Sequence, residues 1–130
     1  MLVKGIIHAK LAAALAQLRH TDLFVISDSG FPTARGVELI DLGVVYGLPP
    51  FDRVLDAVLA EVVVEKATMA KETELHNPAQ ATRIRSHLDH VSQVSHEELK
   101  LMAAQAQFVV RTGEATPYSN VLLQAGVAFR

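Results

Sequence analysis

Apolar positions along this chain fall into two alternating textures. There are short unbroken runs closed off by turn-forming residues, and longer stretches where Leu, Val or Ile return at helical spacing. Residues 23–26, Leu-Phe-Val-Ile, lie between His20-Thr21-Asp22 and Ser27-Asp28-Ser29-Gly30. Such a run predicts a short strand buried on both faces, as inside a parallel sheet. Before it, Leu11, Leu15 and Leu18 among alanines predict a helix over residues 8–18. Residues 37–42 form a weaker strand candidate. Residues 43–50 hold two glycines and two prolines and are expected to be irregular. Phe51, Val54, Leu55, Val58 and Leu59 then mark one face of a helix that starts behind Pro50.

Residues 61–69, around Val62-Val63-Val64, predict a further strand, while residues 71–76 leave helix and strand equally open. Asn77-Pro78 has the form of a helix start, with Asn as cap and Pro in the first turn. Ile84, Leu88 and Val91 continue that helix at the right spacing, and His87 and His90 would share one of its faces. Ser95-His96-Glu97-Glu98 is a capping box, which puts His96 at the first helical position and Lys100 on the same side. Residues 108–112 predict a buried strand and residues 116–120 a polar loop. Residues 121–129 predict a last strand, interrupted at Gly126. Alternating helix and strand signals predict an α/β fold: a single domain over residues 1–130, with a mostly parallel sheet and helices on both faces.

Composition narrows what such a fold does. Half of the 130 residues are hydrophobic but only 5% are aromatic, so Ala, Val and Leu must fill the core. Net charge is −2 with both signs scattered, and no basic stripe invites nucleic acid. The longest apolar run is shorter than the roughly 20 residues of a membrane span, and the start of the chain has no signal-peptide pattern. A cytoplasmic address is expected, with no membrane partner. Without cysteine there is no disulfide, thiolate nucleophile or thiolate metal site, and His87 and His90 lack a third ligand, so no metal is expected. No Gly-x-Gly-x-x-Gly fingerprint or phosphate loop calls for a nucleotide cofactor, and no Gly-x-Ser-x-Gly elbow exposes a serine.

What remains is a set of polar side chains at the edges of apolar elements: His20, Asp28, His96, Lys100, Tyr118 and Asn120. These groups hydrogen-bond hydroxyls and move protons near neutral pH, which suits a small polyhydroxylated ligand. Asp28 sits at the carboxyl end of its strand, where ligands gather in open α/β sheets. The plainer alternatives are an Asp-Ser-Gly turn in which Gly30 takes a positive φ, and a histidine placed at a helix end by the dipole.

Several short motifs occur in a telling order. They are Arg19-His20-Thr21-Asp22; Asp28, Gly30 and Pro32; Ile40-Asp41-Leu42 with Gly47-Leu48-Pro49; residues 61–66; and His76-Asn77. Ser95-His96-Glu97 with Lys100, Arg111-Thr112-Gly113-Glu114 with Pro117-Tyr118-Ser119-Asn120, and Gln124-Ala125-Gly126-Val127 follow. Together they resemble the D-ribose pyranase family, whose sister branch is the L-fucose mutarotases, over nearly the whole chain. Arg19 stands where that family commonly has Gly, a residue used where φ is positive. Ser119 stands where it commonly has Ala. Gly30 favours the ribose branch, while Phe31 resembles the fucose branch.

The resemblance implies an enzyme, an intramolecular isomerase that interconverts the pyranose and furanose forms of D-ribose by acid–base ring opening and reclosure. It implies no cofactor, and an L-fucose-type mutarotase is the alternative. By the same resemblance, His20 is the proton donor, and Asp28, His96, Lys100, Tyr118 and Asn120 bind the sugar. A ring-like homo-oligomer, a decamer in the family, and a place in ribose uptake and catabolism are also implied. A non-catalytic sugar-binding module is the rival, and the proton transfer at His20 separates the two. One expectation is geometric. A fully extended chain from residue 20 to residue 28 spans on the order of 25 Å at about 3.3 Å per residue. Either neighbouring subunits complete each site, or the strand ends curl back.

Overall fold

In the computed structural model, which describes residues 1–130, the apolar run becomes the strand it predicts. Strand β1 (Leu23–Ser27) buries Phe24, Val25 and Ile26 completely. Helix α1 (Ala9–Gln17) precedes it, and the His8 ring caps that helix by accepting the Leu11 N–H at 3.1 Å. Strand β2 (Glu38–Asp41) follows, then helix α2 (Phe51–Leu59). Pro50 caps α2 but offers no side-chain acceptor, and the Glu114 carboxylate takes the Phe51 N–H at 2.9 Å instead. The rest of the chain is β3 (Val64–Ala70), α3 (Lys71–His76), α4 (Pro78–His87), β4 (Val91–Val94), α5 (His96–Ala103), β5 (Phe108–Arg111) and β6 (Val121–Ala125).

The six strands form one sheet in the order β2-β5-β1-β6-β3-β4. β1 and β2 each pair with β5 in parallel, β3 pairs with β4 in parallel, and β6 runs antiparallel to both β1 and β3. Five strands therefore point one way and only β6 is reversed. Period-two alternation gives the sheet two apolar faces. Phe24, Ile26, Val110, Val121 and Leu123 pack with α1, α2 and α4 on one side. Val25, Val109 and Leu122 pack with Leu99 and Ala103 of α5 on the other. The mostly parallel sheet with helices on both faces is as the alternating pattern predicts.

Four local expectations fail. The strand expected over residues 121–129 ends at Ala125, which lies opposite Val64, the first residue of β3, so the ladder has no further partner. The helix expected to run through Val91 stops at His87, and Val91 opens β4, which pairs with β3. Leu88 and Val91 instead pack separately against the core, a placement that mimics helical spacing. His87 and His90 therefore share no helix face, and His87 pairs with Asp56 at 3.1 Å. Asn77 occupies the cap position of α4 without a capping bond from its side-chain oxygen, and its Nδ2 donates into the 116–119 loop, which holds the side chain toward that loop. Residues 71–76, open in the sequence, form α3.

Candidate active site

Direction of the strands sorts the predicted residues into two groups. The carboxyl ends of β1 to β5 and the amino end of β6 lie together, and this edge collects Asp28 after β1, His96 after β4, and Tyr118 and Asn120 before β6. The opposite edge collects His20 before β1, Glu65 at the start of β3, and Gln124 near the end of β6. The four residues 23–26 stand between His20 and Asp28 in one ladder, with Leu23 opposite Gln124 and Ile26 opposite Val121. The strand ends do not curl back into one site.

At the Asp28 edge the side chains hold one another. The Asp28 N–H donates to Asn120 Oδ1 at 2.9 Å, and the Asn120 amide donates to Asp28 Oδ2 at 3.2 Å. Gly30 N–H donates to Asp28 Oδ1 at 3.0 Å. The positive φ open to Gly30 is not used; its contribution is the N–H. Burial raises the Asp28 carboxyl above its ordinary value, against the opposing pull of the Gly30 and Asn120 hydrogen bonds and of His96. The His96 ring meets Tyr118 edge-on at 5.0 Å and Phe31 at 5.9 Å between centroids. His96 Nδ1 is buried without a hydrogen-bond partner. The edge thus holds one unpaired buried polar atom close to a carboxylate whose charge burial disfavours.

Helix α3 fixes this edge, although the sequence left it open. Thr73, fully buried, donates to the Tyr118 carbonyl at 2.7 Å. Glu72 accepts the His96 N–H with both carboxylate oxygens, at 3.0 and 3.1 Å, so it caps α5 together with Ser95, whose hydroxyl accepts the Glu98 N–H. Asn77 and Gln80 donate to Ser119, which anchors the loop that presents Tyr118. His76 lies 5.7 Å from the Tyr118 ring, a neighbour flagged in the sequence only by its place in His76-Asn77. Lys100 does not join the group. Its ammonium donates to Glu97 Oε1 at 3.0 Å, on the outer side of α5.

The His20 edge is open. The His20 side chain is 53% exposed, and its Nε2 lies 3.1 Å from Glu65 Oε2. Gln124 Nε2 donates to the other Glu65 oxygen at 2.6 Å. That bond first, and His20 second, hold the Glu65 carboxyl below its ordinary value. Beside His20 an apolar groove of about 580 Å³ is lined by Leu18, Gly126, Val127 and Phe129. A larger cavity of about 700 Å³, between the 5–8 segment, residues 41–44 and α2, contains neither His20 nor Asp28. No group of three His, Asp or Glu side chains converges in metal-binding geometry.

Backbone conformation links the two edges. Only two non-glycine residues have positive φ: Thr21 at 74° and Tyr118 at 56°. One follows His20 in the Arg19–Asp22 turn; the other is itself a predicted site residue. Such conformations cost roughly 1–3 kcal/mol each and persist where surrounding contacts enforce them, commonly at working sites. Arg19, in the position where a glycine is usual, keeps a negative φ; the left-handed residue is Thr21.

Comparison with known proteins shows the family of the chain. Residues 1–128 match the RbsD / FucU transport protein family. D-ribose pyranase 1 of Rubrobacter xylanophilus is 51% identical over 125 residues, which is 96% of this chain and 97% of that protein. The structure of Bacillus subtilis RbsD complexed with D-ribose superposes with a TM-score of 0.95 at 42% identity, over 99% of this chain and 100% of that one. The fucose mutarotase of Streptococcus pneumoniae, solved with L-fucose, shares the fold alone. Its TM-score is 0.76 at 20% identity, over 95% of each chain.

Proposed function

This chain belongs to the RbsD / FucU transport protein family, and from that premise we propose that it is a D-ribose pyranase, an intramolecular isomerase interconverting the pyranose and furanose rings of D-ribose. One observation carries the reading. A desolvated carboxylate, an amide, an imidazole and a phenol converge at one sheet edge, in a chain 42% identical to a protein solved with D-ribose.

The reaction is proton transfer around a ring opening. A base takes the proton of the anomeric hydroxyl, an acid gives one to the ring oxygen, and the bond between that oxygen and C1 breaks to leave the aldehyde. Rotation and attack of a different hydroxyl on C1 close the other ring, with the protons returned in reverse. His20 is the acid. An imidazole, with an ordinary pKa of about 6.5, exchanges a proton near neutrality, whereas an ordinary phenol at about 10 does so poorly. Asp28 and Asn120 bind sugar hydroxyls. Their mutual bonds fix both side chains, while Asn120 keeps a second N–H and Asp28 further lone pairs for the ligand. His96 and Tyr118 flank these two, and Lys100 binds the sugar by leaving Glu97.

In this reading each site is shared between subunits, His20 coming from one and the Asp28 group from its neighbour. The separation of the two groups along β1 supports sharing, as do the apolar groove beside His20 and the exposed Val44, Val45, Tyr46 and Leu48. A ring-like homo-oligomer, a decamer by family resemblance, meets that need, because a head-to-tail contact repeats around a ring. A cytoplasmic address is part of the same proposal. Within the chain itself, no helix is long and apolar enough to cross a membrane.

Exchange NMR of D-ribose at equilibrium tests the function. Added protein should accelerate exchange between pyranose and furanose anomeric signals, and His20→Ala should abolish the acceleration. Ribose binding without acceleration would leave a binding module. Acceleration with L-fucose alone would move the reading to the fucose side, the direction in which Phe31, buried against His96, points.

A further inference from the structure

The strand that carries Glu65 is irregular at that residue. β3 pairs with β6 through Val64 opposite Ala125 and then Lys66 opposite Gln124, so Glu65 is an extra residue with no partner of its own. This is a β-bulge, a device that re-aims a side chain. Its effect shows in the alternation. Ala67 and Met69 face the core formed with α1, α2 and α4, and unbroken period-two alternation would send Glu65 to that apolar face as well. With the bulge, Val64 packs there instead. Glu65 emerges on the face of Gln124, whose neighbour in alternation, Leu122, packs against α5. Gly126 leaves the room: a methyl group there would lie 3.0 Å from Val63 Cγ1 and 3.3 Å from Glu65 Cβ.

We propose that Glu65 is the positioning residue for His20, holding the hydrogen on Nε2 so that Nδ1 is the nitrogen that exchanges a proton with the sugar. This rests on the reading of His20 as the proton carrier. An ionised carboxylate only accepts hydrogen bonds, so the 3.1 Å contact requires a hydrogen on Nε2, and Nδ1 is left as the exchanging atom. Gln124 completes the arrangement by fixing the second carboxylate oxygen at 2.6 Å. The imidazole is half in solvent and sits on a turn, so without this carboxylate neither its rotamer nor its tautomer is set by packing. The sheet has therefore given up a regular pairing to bring an acceptor to a histidine that the core does not hold.

Ribose exchange NMR on Glu65→Gln, His20→Ala and the double variant tests this, together with imidazole ¹⁵N shifts of His20. Glu65→Gln, nearly isosteric, should lower kcat about tenfold or more with KM within about twofold, because orientation of the proton carrier matters in the transition state. The ¹⁵N pattern should move away from the form protonated at Nε2. The double variant should be no slower than His20→Ala, since a residue acting through another loses nothing once that partner is gone. Gln124→Met should give a smaller loss in the same direction. Wild-type kcat in Glu65→Gln, with His20→Ala impaired, would overturn the inference and leave the function standing. A loss that adds to that of His20→Ala would also overturn it, by showing that Glu65 acts elsewhere. Full activity in His20→Ala would overturn the proton-carrier reading itself.

Discussion

The two ends of β1 solve opposite problems. At the Asp28 end the polar groups are partly buried, Asp28 and Asn120 are bonded to each other beside the His96 and Tyr118 rings, and Asn120 and Gly30 offset only part of the penalty of burying a carboxylate. At the His20 end the imidazole proposed as the proton carrier stands half in solvent, held by one carboxylate that is itself tied to Gln124. A binding surface must be rigid and partly dry before the ligand arrives, because ordering it afterwards weakens affinity. A proton carrier must exchange with water between turnovers. The difference teaches that one end of β1 holds its polar groups through mutual contacts, while the other leaves its histidine exposed, which is the end that the proposed sharing of sites would have another subunit cover.

The largest expected effect comes from deleting the open half. His20→Ala should slow ribose interconversion by about 10²–10⁴, the usual range for a general acid or base. Because the side chain is exposed, unfolding stability should change by no more than about 0.5 kcal/mol. A rate loss below threefold would remove His20 from the chemistry. The sharing of sites is tested by co-assembling His20→Ala with Asn120→Ala, two defective chains. If sites form between subunits, random pairing restores about a quarter of them. No recovery would place both halves within one chain.

Asn120→Ala strikes the closed half. It removes the acceptor of the partly buried Asp28 N–H and the donor to its carboxylate, so stability should fall by about 1–3 kcal/mol by denaturant titration. Ribose affinity should weaken about tenfold, roughly the loss of one hydrogen bond to a sugar hydroxyl. An unchanged dissociation constant would reduce Asn120 to a loop residue.

The smallest effect is the pH dependence of Asp28. Burial raises its folded-state pKa, so the native state holds that proton more tightly than the unfolded chain does. The stability it contributes is complete below the ordinary carboxylate range and is lost as pH rises through the raised value. The stability difference between wild type and Asp28→Asn should therefore move against the wild type as pH climbs from about 3 through that range. The lost acceptor adds an offset but no slope. A flat difference would show that the carboxylate is not desolvated.

The sequence carried the polar residues but not their company. Asp28 and Asn120 were legible as candidates, whereas their double hydrogen bond joins residues far apart in the chain and depends on β1 and β6 being neighbours. Lys100 looked like a partner of His96 on helical spacing alone. Its ammonium is 3.0 Å from Glu97, because a long flexible side chain reaches the carboxylate three residues before it on the same helix. Residues 71–76 carried no period that separated helix from strand. As α3 they cap α5 through Glu72 and hold Tyr118 through Thr73.

By itself, then, the order of residues determined most elements and the two apolar faces, since these follow from alternation and helical spacing within a few residues. It determined the Ser95 cap as well, because a cap is a contact between near neighbours. Strand order, the reversal of β6, the start of β4 at Val91 and the bulge at Glu65 were decided only in three dimensions. Each depends on which strand lies alongside, a choice set by packing over the whole sheet. Period-two alternation reads the same beside any partner.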